Sequence, residues 1–448
     1  MQRNSQKDFT VALVGGGIVG LTCAIGLARA GIQVDIFEAT PKYGEIGAAV
    51  AIGMNAIRVY EAMGIFGDIL ALTEDREALM DLFTFVNGGS HDVVLEYSDP
   101  VEKKQGIAVH RAAFLSALER LLPAGVRSHF NKRCVSVELS GNGRPGVRFA
   151  DGTFYEADIV IGADGIKSAV RTQLLGTKAA RLVDTGTRAY RAVVPMQRLL
   201  DAGIREEVFR LKPRIWMGHD KHLATYPIMG GTLLNVVAFT IDHNNEMVPA
   251  GSQALWSAWV ASASREELLG QFEDFGPDAR AILNTVEAPN KWNVHGLYPP
   301  LDSFVTTAYE KQNVDDEGFA EGKGDPNVAL VGDAAHAMLP HLGSGAGTGI
   351  EDAFVLASLL GHPQTRRANL PGILRTYDAL RVPRAAYIAT MSERAEKIYN
   401  GLGPSGADDV GRRKDISSQW EGIWNHDLQA EIAHAIQTLQ EEGVLGSG

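Results

Sequence analysis

Val328-Ala329-Leu330-Val331-Gly332-Asp333-Ala334-Ala335-His336, continued by Pro340-His341-Leu342-Gly343-Ser344-Gly345-Ala346-Gly347, is the stretch on which the fold turns. Val328 to Val331 is a short, unbroken apolar run, as expected of a strand buried on both faces. Asp333 emerges at its C-terminal end. The glycines at 343, 345 and 347 then open a helix expected to begin near Thr348. Free backbone N–H groups at such a helix start attract negative charge. Two more glycine elements stand upstream: Val11-Ala12-Leu13-Val14-Gly15-Gly16-Gly17-Ile18-Val19-Gly20, closed by Glu38, and Asp158-Ile159-Val160-Ile161-Gly162-Ala163-Asp164-Gly165-Ile166-Lys167-Ser168-Ala169-Val170-Arg171. A single glycine turn occurs in many α/β proteins; the ordered trio is far more specific.

In the first element, Thr10 to Val14 reads as a buried parallel strand, and Ile18, Leu21, Ile25 and Ala28 fall on one helix face. Gly31 stops that helix, and Val34 to Phe37 supplies the next strand, ending at Glu38. Gly15, Gly17 and Gly20 allow a tight turn and the close approach of a pyrophosphate, while the Glu38 carboxylate can accept hydrogen bonds from ribose hydroxyls. An ordinary tight turn is the alternative, but strand, helix and acidic residue in register favour a dinucleotide. In the second element, Ile159 to Ile161 delivers Asp164-Gly165 to a turn, with Ser168 and Arg171 on the following helix. Asp164 could serve a ligand there or simply cap that helix. No second fingerprint of this type is present for a nicotinamide cofactor.

Composition bounds the rest. The 448 residues are 45% hydrophobic and 21% charged, ordinary for a globular enzyme of two or three structural units. A formal net charge of -12 argues against nucleic-acid partners and against polybasic membrane attachment. Cys23 and Cys134 cannot build a disulfide framework or a cysteine-based zinc cluster, so no metal is expected and the setting is a reducing cytoplasm. Phe9 to Ala28 is uncharged, but its glycines divide it into strand, turn and helix rather than a membrane span.

Along the chain, helical pattern runs from Ala56 to Leu72, short strands from Leu79 to Val109, and helix again from Arg111 to Leu122. Val135 to Val160 carries hairpins with turns at Gly141-Asn142-Gly143 and Asp151-Gly152. Strands are expected at Arg188 to Val194, Val208 to Leu211 and Leu233 to Thr240, forming a separate sheet. Asp315 to Asp325 reads as an acidic surface loop. Helices follow over Ile350 to Leu360 and Leu370 to Tyr399, then a breaker at Gly401 to Gly411 and a helical tail holding Trp420 and Trp424.

From about Phe9 to about Arg384, the trio resembles the FAD-dependent aromatic hydroxylases of the p-hydroxybenzoate hydroxylase type, and among these the salicylate hydroxylases. Fungal hydroxylases of orcinaldehyde-type phenols look similar in the Pro-His and Tyr-Pro segments. The resemblance implies an α/β fold: a Rossmann-like FAD-binding domain, an inserted mixed β-sheet substrate domain and C-terminal helices. The FAD-binding domain would comprise residues 1–78, 110–186 and 292–385, the substrate domain 79–109 and 187–291, and the helical tail 386–448. It also implies non-covalent FAD, NADH or NADPH as a transient co-substrate, oxygen, a small aromatic substrate, and room for a homodimer. Asp164-Gly165 would lie near the flavin and the nicotinamide path, and Asp333 would bond the ribityl chain. Backbone at Gly343, Gly345, Ala346 and Gly347 would face the flavin ring, and Arg111, in His110-Arg111-Ala112-Ala113-Phe114, would contact FAD unless it forms a helix-start salt bridge. His336 is expected to be structural.

The family chemistry forms a C4a-hydroperoxide on FAD and transfers its distal oxygen to an electron-rich ring. Favouring phenolate over a phenol of pKa about 10 takes roughly 4 kcal/mol from the site. His341, after Pro340, is the candidate base or phenolate partner. Arg191, in Tyr190-Arg191-Ala192, and Tyr226, in Thr225-Tyr226-Pro227, are candidates to hold a carboxylate or phenolate. A rim salt bridge and a half-buried strand aromatic are their respective alternatives. A flavoprotein oxidoreductase that does not hydroxylate is the competing function.

Overall fold

Three of the strands expected to be buried line up in one parallel sheet in this computed structural model, which describes residues 6–44, 49–73, 79–81, 83–96, 104–175, 181–205, 208, 212–243, 248–249, 259–305 and 327–446. Its order across the sheet is Val328–Leu330, Ile159–Gly162, Thr10–Val14, Gln33–Phe37 and Arg127–His129, every neighbouring pair parallel. Val14 pairs with Gly162 and with Phe37, and Gly162 with Leu330. That register brings the C-terminal ends of four strands to one edge. Glycine turns over 300 residues apart in sequence therefore emerge side by side, where ligands of open α/β sheets bind.

The helices Ile18–Arg29 and Gly345–Gly361 cross closely on this sheet. A Cβ on Gly26 would stand 2.8 Å from the Ala357 methyl, so the contact requires a glycine. The second of these helices starts at Gly345, three residues before the expected Thr348, because Ser344 already accepts from the Thr348 N–H at 2.9 Å. The helix expected over Ala56 to Leu72 is two, Met54–Ala62 and Phe66–Leu72, parted at Gly64 with φ 66°. Leu370–Tyr399 is one continuous helix, as its periodicity predicts.

The second sheet is antiparallel for most of its width. Its order is Val260–Ser262, Asn290–Leu297, Leu182–Pro195, Leu233–Ile241, Lys221–Ile228, Arg214–Met217, Thr84–Asn87 and Val93–Leu95, with Val248–Pro249 beside Leu182–Pro195. Residues alternate between its faces. Tyr190, Leu223, Val236 and Ala238 pack beneath the helices Arg265–Gln271 and Pro277–Asn284. The opposite face carries Ala189, Arg191, Ala224, Tyr226, Val237 and Phe239. The expected separate sheet is thus present, but it is covered by helices that the sequence reading did not anticipate. Val208, the described part of the strand expected at Val208 to Leu211, instead lies in a helical turn, its N–H on the Arg205 carbonyl at 3.0 Å. The segment from 79 to 109 serves two sheets: Thr84–Asn87 and Val93–Leu95 join the large one, whereas Leu79–Asp81 and Lys104–His110 pair beside Ala49–Gly53. The loop expected at Asp315 to Asp325 lies outside the described residues. Among the described residues no helix is long and apolar enough to cross a membrane.

Candidate active site

A cavity of about 760 Å³ runs from the edge of the parallel sheet to the open face of the antiparallel one. That volume suits a bound cofactor and a small ligand. One end is walled by Gly15, Gly16, Gly17 and Glu38, the middle by Arg111, Asp164 and Asp333, and the far end by Arg191, Tyr226 and His341. Residues from all three glycine elements and all three candidate catalytic side chains therefore share one space.

At the glycine end the chain leaves room by design of its backbone. Gly15 has φ 105°, and a Cβ there would stand 2.3 Å from the Ala163 carbonyl oxygen, so only glycine closes this turn. A Cβ at Gly17 would meet no atom of the described residues within 4 Å; its Cα faces open cavity. Gly20 does not line the cavity; a Cβ there would collide with the Gly15 carbonyl oxygen at 2.2 Å, so its role is helix-to-turn packing. Glu38 accepts from the Gly16 N–H at 2.8 Å through Oε2 and from the Thr40 N–H at 2.8 Å through Oε1. Oε1 also accepts from the Thr40 hydroxyl at 2.9 Å, which leaves the spare lone pair for a ribose hydroxyl on Oε2.

Asp164 does cap its helix, accepting from the Ser168 hydroxyl at 2.5 Å and the Ala169 N–H at 2.8 Å, while also lining the cavity. Burial pushes its carboxyl above the ordinary range, and these hydrogen bonds oppose that shift. Arg171 ties the second element to the third: its guanidinium donates to the Ile166 and Ala334 carbonyls at 2.5 and 3.0 Å. Asp333 is exposed toward the cavity at the start of the short helix Asp333–His336. Gly343, Ser344, Gly345 and Ala346 line the middle of the cavity. Gly347 does not: a Cβ there would press on the Asn55 amide at 3.0 Å. His336 is structural, its Nε2 2.5 Å from the buried Asp352 carboxylate. The glycine cradle, the open Cα at Gly17 and the exposed carboxylate of Asp333 fit the pyrophosphate, ribose and ribityl parts of FAD.

The far end is set by strand register. Arg191 pairs with Val237, which pairs with Ala224; Tyr226, two residues along from Ala224, faces the same side. The Arg191 guanidinium lies 5.9 Å from the Trp292 ring, and its Nε has no hydrogen-bond partner among the described residues. Burial lowers its pKa, Tyr226 raises it, and Arg111 lowers it again. Burial raises the Tyr226 phenol pKa, against opposing pulls from Arg191 and Asn235, so the hydroxyl remains a neutral donor.

His341 stands in the cavity wall. Its side chain is fully buried in the cavity wall and both ring nitrogens already face protein groups: Nδ1 stands 3.3 Å from His222 Nε2, and Nε2 3.2 Å from Glu396 Oε1. His222 in turn bonds Asn400 Oδ1 at 2.8 Å. Burial works against the Glu396 charge, but His341 and Thr187 outweigh it and bring its pKa down to about 2. Burial and the neighbouring His341 drop His222 to about 3. Nε2 reaches Glu396 at ion-pair distance but without hydrogen-bond geometry among the described residues, so the imidazole is set in the wall by His222 on one side and Glu396 on the other. His222 and Glu396 escaped sequence reading because a lone strand histidine and a glutamate late in a long helix carry no local signal. The core charges Glu351, Asp352, Arg381 and Arg384 did leave one: an acidic pair inside the otherwise apolar helix after the glycine loop. Arg381 and Arg384 both bond Glu351 there.

The FAD binding domain family matches residues 8–189 and 311–392. A salicylate hydroxylase of Pseudomonas putida is 37% identical over 97% of this chain and 96% of its own length. A 6-methylsalicylate 1-monooxygenase of Aspergillus terreus is 32% identical over 96% and 92%. A solved salicylate hydroxylase substrate complex superposes with a TM-score of 0.79 at 31% identity, covering 95% of this chain and 98% of that one. This similarity spans both the glycine end and the sheet that closes the cavity, so the chain belongs to the FAD binding domain family and is an FAD-dependent aromatic-ring monooxygenase.

Proposed function

We propose that the substrate is an aromatic acid with hydroxyl and carboxylate on adjacent ring carbons, salicylate in the leading place. One oxygen atom of O2 replaces the carboxylate on its ring carbon, giving catechol, and the carboxylate leaves as carbon dioxide. The second oxygen atom leaves as water, with two electrons supplied by NADH or NADPH. FAD, when bound, supplies the oxygen-activating chemistry; the chain's own side chains select and orient the ring.

The observation that carries this reading is Arg191, a cation at the cavity wall whose Nε has no acceptor among the described residues, two strands from the neutral hydroxyl of Tyr226. A half-buried guanidinium with an unpaired Nε at a cavity wall calls for an anionic ligand, and a planar carboxylate matches its fork. Tyr226 can then donate to the adjacent phenolic oxygen and favour phenolate. Behind them, the Glu396–His341–His222 array fixes the wall on which the ring rests.

The test uses the purified holoenzyme with NADH or NADPH and a panel of hydroxybenzoates and orcinaldehyde-type phenols, with products identified chemically. Catechol and carbon dioxide formed one for one from salicylate is the expected result. Efficient turnover of another phenol with no catechol from salicylate would overturn it and favour the orcinaldehyde-type assignment.

A further inference from the structure

The C-terminal segment beyond the family match, which ends at residue 392, contributes two tryptophans to the cavity wall. Trp420 and Trp424 stack with ring centres 5.0 Å apart and planes 2° from parallel. Phe83 continues the row, stacked 6.3 Å from Trp420 and edge-on at 6.2 Å to Tyr226. An aromatic plate therefore runs from the carboxylate-binding end of the cavity toward the Ala49–Gly53 strand, where a Cβ on Gly53 would lie 3.1 Å from Trp424 Nε1.

The plate is held rigidly. The Trp420 indole donates to the Leu342 carbonyl at 3.3 Å, in the glycine loop itself. Arg384 donates to the carbonyls of Gly422 and Ile423, at 2.7 and 2.8 Å, and also to both carboxylate oxygens of buried Glu351. The backbone between the two tryptophans is thus pinned to the helix that opens beside the cavity. These bonds oppose movement of the Trp420 ring and of the backbone that carries Trp424.

We propose that Trp420 and Trp424 form the size filter of the substrate site, restricting it to single-ring hydroxybenzoates and excluding fused two-ring acids. The proposal rests on the anchoring of a carboxylate at Arg191 and Tyr226. From that anchor the wall continues through Phe83 to Trp420 and then Trp424, so a second fused ring extending that way would meet the indoles. Because the surroundings are pinned, removing an indole leaves space rather than letting the wall collapse.

The experiment compares wild type, Trp424→Ala and Trp424→Phe as FAD-loaded proteins, with flavin content and melting temperature recorded for each. Dissociation constants for salicylate and for 1-hydroxy-2-naphthoate are read from the absorbance change of the bound flavin. Wild type should prefer salicylate, and Trp424→Ala should shift the ratio of the two constants toward the two-ring acid by about tenfold or more, within the range by which pocket size discriminates ligands. Trp424→Phe should shift it less, and carries the test if the alanine variant loses its flavin. A ratio unchanged within about twofold in folded variants overturns the filter. Catechol formation from salicylate by wild type is scored separately. A shifted ratio without catechol sinks the proposed reaction and leaves the filter standing, whereas catechol with an unchanged ratio sinks the filter alone. A wild type that binds neither acid counts against both.

Discussion

At the glycine end of the cavity a ligand meets mostly backbone, whereas at the other end it meets side chains carried on antiparallel strands. Gly15, Gly16 and Gly17 shape the first end by having no side chain, and Glu38 is held there by N–H groups of its own turns. The second end depends on Arg191 and Tyr226, each projecting from a register position that any residue could occupy, and on the two tryptophans of the helical tail. Backbone recognition needs a particular turn and tolerates little else. Side-chain recognition can be rewritten one residue at a time while the strands stay put. The difference explains how one cofactor site can be kept while the aromatic substrate changes.

The sharpest way to break this contrast is Arg191→Ala. It should weaken salicylate binding by roughly 3–4 kcal/mol, or about 10²–10³-fold, because a buried charged hydrogen bond is lost, while FAD stays bound. A titration following bound-flavin absorbance measures both, and loss of FAD with Arg191 would show that the two ends are not separable. Next in size is Glu38→Ala, expected to cost on the order of 1.5–3 kcal/mol of FAD affinity, more than tenfold, in a protein that still folds. Unchanged FAD affinity would remove Glu38 from the site. Acid precipitation of either protein should leave the flavin in the supernatant; colour retained in the pellet would indicate a covalent link.

The glycines sharpen the contrast further. Gly20→Ala forces a Cβ against the Gly15 carbonyl and should lower the melting temperature of the apoprotein, costing roughly 1–3 kcal/mol. Gly17→Ala meets no atom of the described residues and should leave that stability within about 0.5 kcal/mol while weakening FAD. Equal destabilisation by both would mean that Gly17 is packing, not ligand space. The smallest effect is a pH dependence. Glu396 has its pKa depressed to about 2 from an ordinary 4.5, so its stabilisation is present above about pH 4.5 and is lost as pH falls toward 2. Wild type should therefore melt higher than Glu396→Gln above that window, with the gap closing through it. A gap independent of pH would show that the carboxylate charge is not what holds His341.

The legibility of the chain follows the same division. Thr10–Val14 and Leu370–Tyr399 have the bounds their patterns predict, because an apolar run and a helical period are local properties. Asp164, Asp333 and Gly345 could be placed at one site from the order of their motifs, since parallel strands deliver their ends to one edge. Gly20 and Gly347 looked like ligand contacts but pack against Gly15 and Asn55, a distinction that depends on where a missing Cβ would point. His341 could be placed in the wall, yet its partners His222 and Glu396 come from a strand and a helix far away in sequence. Trp420 and Trp424 were visible only as aromatics in a helical tail. Their stacking follows from a spacing of four residues on one helical turn, but that this turn lies against the cavity is a tertiary fact.

The place of Val328–Leu330 at the edge of the parallel sheet also bears on biosynthesis. A ribosome has made most of the chain before this strand exists, and the Ile159–Gly162 strand beside it waits unpaired on that side until then. Pairings so distant in sequence form slowly, and an exposed apolar edge invites association with other nascent chains. Free FAD, by bridging the early glycine turn and the late one, would then act as a template that draws the last strand home. Soluble yield should accordingly follow the flavin supply of the cell that makes the protein.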